Sequence, residues 1–264
     1  MLAIPIAMID LDPGTIALLC IAAACAGWVD AVTGGGGLIQ LPSLLIALPG
    51  EQPAASLGTN KLSSVIGTSA AAFTYARRTP LDLRTALPMA LAAFIGSAGG
   101  ALLASHLPAA AFRPVILVLL VAVWVYTLMR PAMGLVENRR FAGRRHGVIA
   151  AAAGLAIGFY DGLLGPGTGS FLLIVLVAGL GLSFLAASAT AKVVNLGTNI
   201  AALIVFGVTG SVIWLLGLLM GACNLVGAVI GARTAIARGS GFVRVVFLVI
   251  VALLIVRLAW DIWA

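Results

Sequence analysis

The stretch GWVDAVTGGGG, residues 27–37, places an aspartate and a run of four glycines at the end of an apolar segment. A related stretch, GFYDGLLGPGT, follows at residues 158–168, an offset of 131 (158 − 27). The same offset aligns further residue pairs: Thr59 with Thr190, Lys61 with Lys192, Gly96 with Gly227, and Gly100 with Gly231. Self-similarity at one fixed offset is the signature of a repeat. The sequence therefore predicts two copies of one unit, residues 1–132 and 133–264.

The composition is that of a membrane protein. Of 264 residues, 62% are hydrophobic and 9% are charged, whereas a soluble domain carries roughly 25% charged residues. Uncharged runs at 85–105, 162–191 and 193–232 each exceed the roughly 20 residues that a helix needs to cross a bilayer. The alternating segments of about ten residues that are typical of an outer-membrane barrel are not visible. We therefore predict an all-α, polytopic membrane protein within a single membrane domain.

Each copy is predicted to contain the same parts in the same order. A first apolar helix ends near an aspartate, and glycine-rich breaks follow at 33–37 and 164–169. Glycine runs interrupt helices because glycine lacks a side chain and readily adopts other backbone conformations. The unit is thus expected to hold a broken or re-entrant helix hairpin plus three transmembrane helices.

Arginine positions predict how the two copies are oriented. If each broken segment forms a hairpin that returns to its own side, the copies are inverted and eleven arginines share one side: Arg77, Arg78, Arg84, Arg130, Arg139, Arg140, Arg144, Arg145, Arg233, Arg238 and Arg244. The other side keeps Arg113, with Arg257 near the membrane end. If each broken segment instead crosses the membrane once, the eleven arginines and Arg113 divide between the two sides as eight against four. Because positive residues concentrate in cytoplasmic loops, the inverted arrangement is favoured, with both termini outside the cytoplasm.

Two lysines stand inside apolar segments, and each needs a partner. Placing Lys61 or Lys192 within the bilayer costs at least about 2.5–3.5 kcal/mol. One offset to this cost is an ion pair with Asp30 or Asp161, which would tie the broken hairpin to the next helix. The other is a bound anion. The two are compatible if an aspartate pairs with the lysine while the site is empty.

The glycine-rich breaks are a second candidate for anion binding, because backbone amides at a helix start attract anions. The expected substrate contacts here are Gly34, Gly35, Gly36, Gly167 and Thr168. The small polar residues near the lysines are Thr59, Asn60, Thr190 and Asn195, with Asn199 further along. Thr59, Asn60, Thr190 and Asn195 are further expected substrate contacts, although such residues also hold membrane helices together.

Other features are predicted to be structural or exclude function classes. The GxxxG stretches at 96–100 and 227–231 are expected to permit close helix packing. His106 and His146 are expected to be solvated at loop ends. Cysteines 20, 25 and 223 do not match between the copies, which disfavours a thiol-relay enzyme.

No phosphate-binding loop is present, so ATP is not expected as the direct energy source. Neither a cofactor nor a metal is expected, and the chain is not predicted to be an enzyme. The net charge of +7 comes from basic loops, which is typical of cytoplasmic loops and not of nucleic-acid binding. The expected partners are a small anion and membrane lipid.

The two stretches together resemble a known family. The first copy reads GWVDAVTGGGGLIQLPSLL and later ASLGTNKLSSVIG, and the second reads GFYDGLLGPGTGSFL and later ATAKVVNLGTN. These motifs resemble the sulfite exporter TauE/SafE family of permeases. The paired family motifs fall on Gly34–Gly37, Thr59–Lys61, Gly165–Gly169 and Thr190–Lys192. The second copy departs from the pattern with TAK in place of TNK and with Pro166 in its glycine run, so the two half-sites are expected to contribute unequally.

The resemblance implies a function. It implies a secondary transporter that moves a small sulfur-containing anion, such as sulfite or a sulfonate, across the bacterial inner membrane by alternating access, with export as the expected direction. The alternatives are an importer of an organic acid or sulfonate on the same scaffold, and a non-transporting membrane assembly factor.

Overall fold

The computed structural model of the chain describes residues 11–48, 52–79, 81–104, 134–141 and 143–263, together with 117, 121, 124, 125 and 127–129. All regular structure in these ranges is helical. Five of the described helices are long and apolar enough to cross a membrane. The prediction of an all-α polytopic membrane protein is thus confirmed.

The helices follow one another in two similar series. The first series is α1 (Pro13–Thr33), α2 (Gly37–Ala47), α3 (Pro53–Ala76) and α4 (Leu83–Ala104). The second is α5 (Gly143–Leu163), α6 (Thr168–Ile174, followed by a π-helical turn at Val175–Gly179), α7 (Phe184–Val208) and α8 (Trp214–Trp263). Corresponding helices start 130 or 131 positions apart (143 − 13, 168 − 37, 184 − 53, 214 − 83). The last of the three transmembrane helices predicted for the first copy, expected near 109–129, lies mostly outside the described residues. The helix α8 is kinked at Gly239, where φ is 71°.

Local sequence signals set both ends of α1. Asp12 caps its start by accepting hydrogen bonds from the amides of Gly14 and Thr15 at 2.9 and 3.1 Å, and Pro13 occupies the first turn, where no amide is needed. Gly34 ends the helix in the left-handed conformation, with φ at 80°. Its amide donates to the Asp30 carbonyl at 2.8 Å, as is usual for a helix that ends in glycine.

After this break, α2 runs back along α1. A side chain at Gly36 would collide with the Ala26 carbonyl, ten residues earlier in the chain. Further from the break, Leu19 and Ala23 of α1 share an apolar cluster with Leu44 of α2. The first copy therefore begins with a hairpin, in which the chain turns inside the apolar region and returns.

Glycines allow α4 to contact α5 backbone to backbone. The positions of Cβ atoms at Gly96 and Gly100 are taken by the backbone at Leu155 and Phe159. The same contact recurs between α8 and α1, where Gly227 meets the backbone of Ala24 and Gly231 meets that of Trp28. Both contacts join residues at matching positions, since 155 − 131 is 24 and 159 − 131 is 28. The predicted packing role of the two GxxxG stretches is confirmed.

The order of these contacts gives the relative directions of the helices. In the contacts 24–227 and 28–231 the residue numbers increase together along both helices, so α1 and the first segment of α8 are parallel. Gly217 contacts Leu62 and Gly221 contacts Ile66, so α3 is parallel to that segment as well. By the same reasoning α5 is parallel to α4. The helix α4 is antiparallel to α3, because Met89 near its start shares an apolar cluster with Tyr75, and Ala101 near its end shares one with Leu62. The first helices of the two copies therefore run in opposite directions. These directions support the inverted arrangement, whose orientation in a bilayer stays a prediction.

The interpretation of His146 as a solvated residue is wrong. Its side chain is 7% exposed, because the first turn of α5 packs against α4. The hydroxyl of Thr85 donates its one hydrogen to Asp82 at 2.7 Å. In the 2.6 Å contact between Thr85 Oγ1 and His146 Nε2, the histidine is therefore the donor. Arg139 of the segment between the copies reaches the same Asp82 carboxylate at 3.2 Å. His106 lies outside the described residues.

We predict that Gly158→Ala lowers the melting temperature of the purified protein, because a Cβ there would collide with the backbone of Ala93. Overpacking of this kind costs about 1–3 kcal/mol. Gly147→Ala is the matched control on α5, since a Cβ at Gly147 meets nothing within 4 Å, and alanine is the better helix former by about 1 kcal/mol. Thermal unfolding in detergent measures both variants, and equal shifts would contradict the proposed packing.

Candidate functional site

Lys61 forms a closed ion pair with the second copy. The lysine is 1% exposed on α3, and its Nζ lies 2.7 Å from Asp161 Oδ2 at the end of α5. The Nζ also donates to Asn199 Oδ1 of α7 at 3.2 Å. The other carboxylate oxygen of Asp161 accepts from Thr168 Oγ1 at 2.7 Å. Asp161 Oδ2 itself receives no hydrogen bond of acceptable angle, so its contact with Lys61 is an ion contact held by proximity.

Lys192 forms the corresponding pair with the first copy. It is also 1% exposed, on α7, and its Nζ lies 2.8 Å from Asp30 Oδ2 near the end of α1. The same Nζ donates to the Asp30 main-chain carbonyl. The side chain of Asp30 is 17% exposed, compared with 2% for Asp161. The two pairs therefore share a plan but differ in access.

Each lysine thus contacts the aspartate of the other copy. Lys61 and Lys192 occupy equivalent positions (192 − 61 is 131), as do Asp30 and Asp161 (161 − 30 is 131). A pair that joins residue i of one copy to residue j of the other, and the reverse, is what a two-fold relation between copies produces. The ion pairs consequently tie the end of each copy's first helix to a long helix of the opposite copy.

The end of α1 is supplied with hydrogen-bond donors from three other helices. The Asp30 carbonyl accepts from Lys192, and the Ala31 carbonyl accepts from Tyr75 Oη at 3.0 Å. The next two carbonyls accept from serines: Val32 from Ser188 at 3.1 Å and Thr33 from Ser170 at 3.3 Å. A helix leaves its last carbonyls without internal partners, so these side chains allow α1 to end in the protein interior. The ammonium of Lys192 is also attracted to the negative, C-terminal end of the α1 helix dipole.

The two glycine-rich breaks are in direct contact. Backbone atoms of Gly169 occupy the place where Gly34 would carry a Cβ, and the reverse is true at Gly169. The amide of Gly34 donates to Asp30, and the amide of Thr168 donates to Gly165 O at 3.4 Å. These two predicted anion donors are therefore already bonded within the chain in this state.

The remaining predicted residues of the breaks serve the turns. Gly36 packs against Ala26, and a Cβ at Gly35 would come within 2.9 Å of Ile250 on α8. Gly167 has φ at 82°, a left-handed conformation that favours glycine. The breaks thus need small residues for their geometry, whatever else they bind.

The predicted polar contacts near the lysines divide into bonded and unbonded groups. Thr59 Oγ1 accepts from the amide of Ile213 at 3.0 Å, at the start of α8. Asn195 Oδ1 accepts from Thr198 in its own helix at 3.3 Å. In contrast, Thr190 Oγ1 and Asn60 Oδ1 are buried and have no hydrogen-bond partner among the described residues.

Sequence reasoning did not single out the polar pair between α3 and α7. Asn199 contacts Lys61 through its oxygen and Thr68 Oγ1 through its nitrogen, the latter at 3.5 Å. Thr68 and Asn199 are 131 positions apart and each follows its lysine by seven residues, so the repeat offset contained the signal. Their mutual contact also places any two-fold axis between them.

Within the described ranges there is no group of three or more histidine, cysteine, aspartate or glutamate side chains that could hold a metal ion.

Comparisons with known proteins agree on a family of membrane transporters. A family model described as sulfite exporter TauE/SafE matches residues 19–258. A probable membrane transporter protein, ORF9, of Sinorhizobium sp. is 39% identical over 254 residues, with 96% of each chain covered. The probable membrane transporter protein YfcA of Escherichia coli K12 is 33% identical, covering 95% of this chain and 91% of YfcA.

A further probable membrane transporter protein, from Haemophilus influenzae, is 32% identical, covering 96% of this chain and 97% of its own length. No solved structure matches the chain. With the family match extending over most of the length and relatives similar end to end, the chain belongs to the TauE/SafE family of membrane transporters.

Proposed function

We propose that this chain is a secondary transporter that exports a small sulfur-containing anion, sulfite or a related sulfonate, across the inner membrane by alternating access. The observation that carries the proposal is the reciprocal pair of buried lysine–aspartate contacts, Lys61 with Asp161 and Lys192 with Asp30. Both pairs lie at the ends of the hairpin helices, where the chain is broken and can rearrange.

The pairs suit an anion because they keep two cations ready in an apolar interior. Two unit charges about 4 Å apart attract by roughly 4 kcal/mol at an effective dielectric of 20. An incoming oxyanion that replaces the carboxylate on the ammonium keeps this attraction, whereas an unpaired lysine would be strongly disfavoured. The displaced carboxylate must then reach water, which the partial exposure of Asp30 permits in the structure and which Asp161 requires a rearrangement to achieve. In this role Asp30 and Asp161 occupy the place of substrate while the site is empty.

The unequal access of the two pairs supports alternating access. Asp30 is partly exposed, whereas Asp161 is enclosed by Lys61 and Thr168. In the proposed cycle, the open and closed roles pass from one copy to the other, as in transporters built from inverted repeats with broken helices. The anion is exchanged at the accessible pair first.

The proposed substrate class rests on the size of the site and on the family. The Nζ of Lys61 is closely surrounded by Asp161, Asn199 and Gly165, so a ligand that replaces the carboxylate there must be compact. The family that matches this chain is described as a sulfite exporter. A small sulfur oxyanion satisfies both constraints.

We predict that Lys61→Ala abolishes anion transport and destabilises the protein, because it leaves the Asp161 carboxylate buried and unpaired at a cost of about 3–5 kcal/mol. The variant Lys61→Gln combined with Asp161→Asn removes both charges at similar volume. We expect this double variant to recover most of the melting temperature and to remain inactive. Transport and thermal unfolding are measured on the same purified preparations.

The double variant separates a binding role from a structural one. If Lys61 served only as an ion-pair partner, removing both charges would restore transport together with stability, and the proposed role would be wrong. Lys61→Arg is a further comparison, since a planar guanidinium does not reproduce a compact ammonium, and we expect it to transport poorly.

Substrate and coupling are tested by counterflow in proteoliposomes. Vesicles loaded with unlabelled sulfite should accumulate radiolabelled sulfite through the wild-type protein, and sulfoacetate and thiosulfate should compete. Acetate is the control anion without sulfur. Counterflow that acetate supports as well as sulfite would contradict the substrate class, and repeating the assay with a pH gradient shows whether protons are coupled.

The proposed inverted arrangement predicts a topology. A reporter fused after residue 264 should report the periplasmic side, and a reporter inserted near Asn138, in the segment between the copies, should report the cytoplasm. The physical reason is the concentration of arginines on the Asn138 side. Both reporters on the same side of the membrane would rule out inverted copies.

A further inference from the structure

One face of α3 carries buried polar groups that have no partner. Ser56, Asn60 and Ser63 are spaced four and three residues apart, so they lie one above the other on the helix. They are 1%, 4% and 0% exposed. The hydroxyls of both serines and the side-chain oxygen of Asn60 have no hydrogen-bond partner among the described residues.

Several hydroxyl groups elsewhere in the described helices find a partner in the preceding turn. Thr33, Ser43 and Thr74 donate to the carbonyl four residues earlier at 3.2, 2.8 and 2.7 Å, which is the usual arrangement for serine and threonine in helices. Ser56 and Ser63 do not. A buried polar group without a partner costs about 1–3 kcal/mol, so three on one face indicate that something polar occupies the space beside them.

The same face continues toward α2 and α8. Gly67, one turn beyond Ser63, lies so close to Asn224 of α8 that a Cβ would collide with Asn224 Oδ1. Asn224 in turn donates to Gln40 Oε1 of α2 at 2.8 Å. Gln40 is 1% exposed, and its Nε2 also has no partner among the described residues. Unpaired polar atoms from α2 and α3 therefore border the same region.

The second copy has no equivalent of this polar face. The residues 131 positions from Gln40, Ser56, Asn60 and Ser63 are Phe171, Ala187, Ala191 and Val194, and the first-copy equivalent of Asn224 is Ala93. All five are apolar, although the lysines and aspartates match. The polar face is thus an addition to one copy and not a requirement of the shared fold.

We propose that Gln40, Ser56, Asn60, Ser63 and Asn224 line a hydrated path for the substrate anion in the first copy alone. The path runs from the start of α3 toward the hairpin break, alongside the stretch that contains Lys61, and the inference rests on the proposed transport function. The lining is neutral: hydroxyl and amide hydrogens can bind oxyanion oxygens, and Asn60 Oδ1 accepts from the water that accompanies the anion. A neutral lining holds an anion weakly, which suits a passage better than a binding site.

The test measures water access by cysteine labelling. The parent has Cys20, Cys25 and Cys223 replaced by alanine, and its folding is checked by its melting temperature. Single cysteines then replace Ser56, Asn60 or Ser63, with the matched controls at Ala187, Ala191 and Val194. Proteoliposomes are treated from both sides with an anionic methanethiosulfonate reagent. We expect the first-copy cysteines to react at least about tenfold faster, because a thiol in apolar surroundings stays protonated and unreactive.

Protection by substrate completes the test. Sulfoacetate, which does not react with the reagent, should slow labelling at the first-copy positions. Equal rates at matched positions in the two copies would overturn the hydrated path. Fast labelling that sulfoacetate leaves unchanged would overturn its use by the anion. Because labelling reports on water and not on transport, failure of the transport proposal in the Lys61 variants is separately recognisable.

Discussion

The structure depends on α1, a helix whose last carbonyl groups lie where water cannot hydrogen-bond to them. In a bilayer each unpaired backbone group costs several kcal/mol, and α1 stops at Thr33 inside the protein. Tyr75, Ser170, Ser188 and Lys192 come from other helices to supply donors to its last four carbonyls. The chain can therefore be broken at the hairpin only because the rest of the bundle surrounds the break.

The same constraint explains why charge is kept in this interior. The ammonium of Lys192 binds both the last turn of α1 and the Asp30 carboxylate, and in the proposed cycle it also binds the substrate. Lys61 serves a carboxylate and an amide of two different helices. Since each lysine contacts an aspartate of the other copy, breaking either ion pair changes the contacts of both copies. This is the physical basis for coupling the half-sites.

The features that were predicted best from the sequence depend on residue spacing or on the cost of burying a charge. The repeat offset, the glycine breaks and the two intramembrane lysines followed from spacing and from the cost of charge in a bilayer. Sequence reasoning could not choose between Asp30 and Asp161 for Lys61, because that depends on how the copies pack together. It placed His146 in solvent because packing of the first turn of α5 on α4 cannot be read from a lone histidine next to arginines. The Thr68–Asn199 contact was missed although the repeat offset relates the two residues, because the offset shows which positions are equivalent and not which of them touch.

The polar residues confined to the first copy give the transporter two unequal end states. If the copies exchange roles during the proposed cycle, the conformations before and after exchange bury different side chains, so their free energies differ and one is more populated at rest. That inequality alone cannot drive net flux, which must still follow the gradients. It does decide on which side of the membrane the empty protein waits, and hence which population of anions it meets first.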